Sequence, residues 1–80
     1  MEYIFEYSKL RGRIREICGT EGRWAEEMGF SGFTSTMKLN GKSYFKSDEI
    51  IRCCEILAIP TKDIGEYFFT LKQAEHPYMR

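Results

Sequence analysis

The side chains best placed to do specific chemistry lie between Thr20 and Lys42, in the run TEGRWAEEMGFSGFTSTMKLNGK. Residues 31 to 46 hold Lys38, Lys42 and Lys46 and no acid, and clustered cations of this kind attract phosphate. Arg23 precedes them, near the start of a helix expected to lie across a nucleic-acid backbone. The run reads as a short helix, a tight turn at Gly29 and a second short helix closed at Asn40-Gly41. Helices joined so closely must cross steeply. That arrangement lets the second helix enter a DNA major groove while the first braces it.

Catalytic chemistry is not expected. The single histidine, His76, falls in the terminal stretch, and no glycine-rich phosphate loop is present. Glu26 and Glu27 are sequence neighbours, so on a helix they point about 100° apart and read as a solvated face. Cys18, Cys53 and Cys54 are odd in number and contain no CxxC pair, which predicts buried reduced thiols without a disulfide framework or metal site. No cofactor is expected.

Eighty residues suffice for one small domain, and 42% hydrophobic with 15% aromatic content can build a core. No stretch reads as a membrane span or secretion signal, so a soluble cytoplasmic protein is the expectation. Net charge is zero, from 12 basic and 12 acidic residues, which counts against a strong DNA binder. The distribution softens that objection, because residues 47 to 80 carry six acids against four bases and leave the positive charge near the two paired helices.

Five short helices must position these groups, within a single domain over residues 1–72. The first runs from Tyr7 or Ser8 to Cys18, with Leu10, Ile14, Ile17 and Cys18 on one apolar face and Gly19 as its stop. Thr20 caps the second, Glu21 to Met28, which turns Trp24, Ala25 and Met28 inward. Ser31 caps the third, Gly32 to Leu39. Ser47 caps a fourth whose buried face is Ile50, Cys53, Cys54 and Leu57, and Pro60 ends it. Thr61 caps a short fifth carrying Ile64, Tyr67 and Phe68. Tyr44 and Phe45 are packing anchors in the intervening loop. A short strand at Glu2 to Glu6 or Tyr67 to Thr70 is the only β structure the pattern allows, and residues 73–80 are expected to fray. Arg11, Arg13 and Arg15 either grip phosphate or form a solvated face.

The small residue Ala25, the turn glycine Gly29, the capping Ser31 and the ending Leu39-Asn40-Gly41-Lys42 resemble the lambda-repressor-like helix-turn-helix family. The later stretch SYFKSDEIIRCCEILAIPTKDIGEYFF is similar to that family's fourth and fifth helices, and the whole is most like small phage and prophage Cro-like regulators. The resemblance implies an all-α, compact five-helix lambda-repressor-like domain that regulates transcription at a double-stranded DNA operator. It implies a recognition helix at 31–39, with Arg23, Lys38, Asn40 and Lys42 on phosphates and Ser31, Gly32, Phe33, Thr34, Thr36 and Met37 at or near bases. Paired half-sites imply a homodimer, for which Tyr67, Phe68, Phe69 and Leu71 offer more apolar bulk than a short helix buries.

Three departures from the family pattern leave alternatives open. Ser35, and often Lys38, stand where the family has apolar residues, and Phe33 and Met37 cannot make bidentate bonds to base edges. Glu21 would repel phosphate. The surface of the third helix therefore reads DNA through methyl contacts and shape, or binds a repressor-type protein partner through Phe33 and Met37, or loses those two residues to the core with Ser35 turned outward.

Overall fold

The computed structural model describes residues 3–72. Helix α1 (Ser8–Cys18) forms where Leu10 and Ile14 repeat at helical spacing, and both are fully buried. Ile17, expected on the same face, is 46% exposed. The buried stripe follows the i, i+4 row Leu10–Ile14–Cys18, which leads away from Ile17 and leaves it at the edge.

Helix α2 (Glu21–Met28) starts as its cap dictates: the Thr20 hydroxyl accepts the Arg23 N–H at 3.1 Å. It stops at Gly29, whose φ of +80° is open to glycine, and the Phe30 N–H then donates to the Ala25 carbonyl at 2.9 Å. Helix α3 (Gly32–Leu39) follows at once, with the Ser31 hydroxyl accepting the Thr34 N–H at 3.1 Å.

Helix α4 (Ser47–Leu57) begins one residue earlier than a Ser47 cap would require. Lys46 holds the cap backbone, and the Glu49 carboxylate accepts the Lys46 N–H at 2.9 Å, which ties off the helix start. The helix also ends before Pro60 acts, because Ala58 turns into the left-handed region at φ 55°. Thr61 makes no capping bond; it opens a 3₁₀ turn, Thr61–Asp63, that leads into α5 (Ile64–Phe68).

The core lies between α1, α2 and α4. Trp24 is fully buried, and its indole N–H donates to Cys53 Sγ at 3.3 Å. Phe45 meets Tyr7, Trp24 and Phe68 edge-on, so the expected loop anchor joins three elements. Tyr44 is half exposed, and its hydroxyl donates to the Tyr3 carbonyl. Of the crowded C-terminal apolar groups, Phe68 is buried and Tyr67 half-buried, while Phe69 and Leu71 are about half exposed. Among the described residues the β structure is a single antiparallel bridge between Phe5 and Leu71, flanked by Glu6 N–H to Thr70 O and Lys72 N–H to Ile4 O. Tyr67 belongs to α5. The architecture is all-α with five helices among the described residues, and none of them is long and apolar enough to cross a membrane. The fraying expected of residues 73–80, and His76 with it, lies outside the described residues.

Candidate partner interface on the third helix

The rotation of α3 decides what this surface presents. Ser35, Lys38 and Leu39 are buried; Ser31, Gly32, Phe33 and Thr36 are exposed; Thr34 and Met37 are half-buried. Phe33 is 75% exposed, more than any other large apolar side chain described. The alternative in which Phe33 enters the core and Ser35 turns outward is therefore reversed. Ser35 tolerates burial because its hydroxyl donates to the Gly32 carbonyl at 3.0 Å, which leaves no unsatisfied polar atom.

Lys38 departs furthest from its expected role. It is 6% exposed, and its ammonium donates to the Tyr44 carbonyl at 2.9 Å and pairs with Glu49 Oε1 at 3.0 Å. The rings of Phe30 and Phe45 flank it at 5.5 and 5.6 Å. A cation so enclosed cannot reach a phosphate. The pairing leaves its mark on Glu49: burial would raise its carboxyl, but the Lys46 N–H and the Lys38 ammonium outweigh that and hold it below the ordinary range.

The other expected phosphate contacts divide. The Asn40 side-chain oxygen accepts Arg11 Nη2 at 2.7 Å. The second Arg11 nitrogen meets Glu21 at 2.7 Å, with Arg15 3.8 Å from the same carboxylate. Glu21 is thus neutralised by α1 and does not stand as a bare anion beside α3. Arg13 donates to the Leu57 carbonyl at 2.9 Å and finishes α4, so it is no phosphate clamp. Arg23 and Lys42 are exposed and form no ion pair among the described residues. Ser31 is engaged in capping, and its hydroxyl also bonds Thr34. Of the three basic side chains assigned to phosphates, two remain accessible. That is a thin electrostatic footprint for DNA.

Two positioning contacts were not legible beforehand. Arg52 of α4 donates to the Met28 carbonyl at 3.1 Å and secures the turn before α3. Gly41, at φ +76°, lets the chain leave α3 beneath the N-terminal segment; a Cβ there would lie 2.8 Å from the Phe5 carbonyl oxygen. No local feature of the sequence marks Arg52 for this contact, whose partner lies twenty-four residues away. The Asn40-Gly41 ending did signal the turn, but not the neighbour pressed against it. Helix α3 is held at both ends, and among the described residues its outer face presents Phe33 and Thr36 to solvent. Among the described residues no three metal-ligating side chains gather.

A family model described as "Protein of unknown function (DUF739)" matches residues 3–71, almost the whole described fold. The chain belongs to the DUF739 family. It is also similar to the solution structure of the modulator of repression (MOR) of the temperate bacteriophage TP901-1 from Lactococcus lactis. The TM-score is 0.73 at 43% identity, over 81% of this chain and 88% of that one. No curated protein matches the chain. The expected phage kinship and all-α fold agree with these findings; the family they identify is DUF739, and no Cro-like family is shown.

Proposed function

We propose that this DUF739 protein is a non-catalytic phage-type regulator that acts by binding a repressor protein through the outer face of α3. The exposure of Phe33 on a clamped helix carries this reading. A large ring presented to water by a fixed helix leaves little backbone freedom to lose on docking, which favours its use as an interface anchor. Met37 lies one turn on, and Thr36 supplies polar contact at the margin. Zero net charge and the enclosure of Lys38 favour a protein surface over a polyanion. The similarity to a modulator of repression supports the same partner class.

A second reading keeps operator DNA as the target, with Arg23 and Lys42 on phosphates and Gly32, Phe33 and Thr36 near bases. It is favoured by one observation: Arg11 and Arg15 cancel the Glu21 charge that would have repelled the backbone. In that reading a second copy would pair through Phe69 and Leu71 to match two half-sites.

Titration of the purified protein against the repressor encoded at its own locus, beside anisotropy with the locus DNA at two salt concentrations, separates them. Repressor binding without DNA binding is the expected result. Tight, salt-dependent binding to the locus DNA, with a salt slope reduced by about one on Lys42→Ala, would overturn it in favour of the operator.

A further inference from the structure

The sequence of α3 offers two opposite faces to the core. Phe33 and Met37 lie about 40° apart on one, and Ser35, Lys38 and Leu39 cluster on the other, roughly half a turn away. Hydrophobicity alone favours burying Phe33 and Met37 and leaving the lysine in water. The protein adopts the opposite rotation.

What opposes the hydrophobic preference is the environment of the Lys38 ammonium. Its two acceptors, the Tyr44 carbonyl and Glu49 Oε1, lie outside α3, as do the Phe30 and Phe45 rings that flank it. Glu49 is itself tied to the start of α4 through the Lys46 N–H. Every partner is therefore fixed by another element, and only one rotation of α3 brings the ammonium to all of them. Buried ion pairs add little net stability against an apolar replacement, and their best-attested use is to select one arrangement among several.

We infer that the Lys38–Glu49 pair is the positioning device of the docking face: it holds α3 in the rotation that turns Phe33 to solvent. This rests on the reading of α3 as the docking surface, but the rotation itself can be measured with no partner present. In the wild-type protein, the Phe33 ring protons should relax strongly in the presence of a soluble gadolinium chelate. Lys38→Gln removes the charge and adds no apolar side chain that would favour burial by itself. The expected result is a folded protein in which chelate-induced relaxation at Phe33 falls at least twofold and new cross-peaks join Phe33 to Trp24 or Phe45. Affinity for the repressor should fall at least tenfold in the same variant.

A folded Lys38→Gln protein with Phe33 as accessible as in the wild type would overturn the inference. Should Lys38→Gln fail to fold, Glu49→Gln takes its place, since it keeps an acceptor for the Lys46 N–H and removes only the countercharge. Reduced Phe33 accessibility there supports the positioning role, and unchanged accessibility removes it. Failure of the wild-type protein to bind repressor would overturn the functional reading while leaving the rotation measurement intact.

Discussion

Replacing Phe33 by alanine separates the stability of this fold from its function. The ring is 75% exposed. About a quarter of a phenylalanine's roughly 200 Å² is thus shielded, some 50 Å² or about 1.2 kcal/mol at ~25 cal/mol per Å². That figure is an upper bound, because the unfolded chain already shields part of the ring, and alanine returns about 0.5 kcal/mol of helix propensity. The net cost to folding is below about 1 kcal/mol, a shift of a few degrees in Tm. Trp24→Ala, by contrast, empties a fully buried site and should cost about 3–5 kcal/mol. An aromatic anchor at the centre of a protein interface contributes about 2–4 kcal/mol on truncation, or roughly 30- to 700-fold in Kd. Denaturant unfolding and calorimetric titration against the repressor, run on the same preparation, read both quantities. A Kd within about twofold of wild type, with stability unchanged, would refute Phe33 as the anchor. A stability loss above ~2 kcal/mol would instead refute its placement in solvent.

Gly41→Ala should destabilise the protein by about 2 kcal/mol or more, since an L-residue is strained at φ +76° and its Cβ would press on the Phe5 carbonyl 2.8 Å away; thermal melts check this, and an unchanged Tm would contradict it. Acid should weaken the fold through Glu49. Its folded pKa lies below the ordinary 4.5, so its contribution is complete above that value and is lost as pH falls through the lowered one. Denaturant midpoints taken from pH 6 downward should show a loss that Glu49→Gln reduces. Burial pushes the Cys53 thiol to about 12, and Cys18, raised by the same cause, is only half-buried. An alkylating reagent at pH 8 should therefore label Cys18 first and Cys53 only after unfolding, and mass mapping of the labelled peptides reads the order.

Helix limits and most of the core were legible in the chain because their causes are local. A Thr20 or Ser31 hydroxyl reaches an N–H three residues on, and Gly29 supplies its own left-handed turn. The rows Trp24–Ala25–Met28 and Ile50–Cys53–Cys54–Leu57 announce their buried faces by spacing alone. The rule faltered where a neighbour competed: Glu49 supplied the capping bond at the start of α4, and Ala58 turned the chain before Pro60 could stop it.

The rotation of α3 is different in kind. Periodicity offered two faces for GFTSTMKL and hydrophobicity alone favoured the one that stays in solvent, because the deciding partners of Lys38 lie six and eleven residues away, on a loop and on another helix. The pairing of Arg11 with Glu21 and Asn40 likewise joins residues ten and twenty-nine apart. By itself the sequence determined where the helices begin and end and which rows are apolar, since those depend on neighbours a few residues distant. Only the tertiary structure decided which charges are enclosed, which stay free for a partner and which aromatic ring meets the solvent. Those outcomes turn on where a buried ammonium can find all of its acceptors at once.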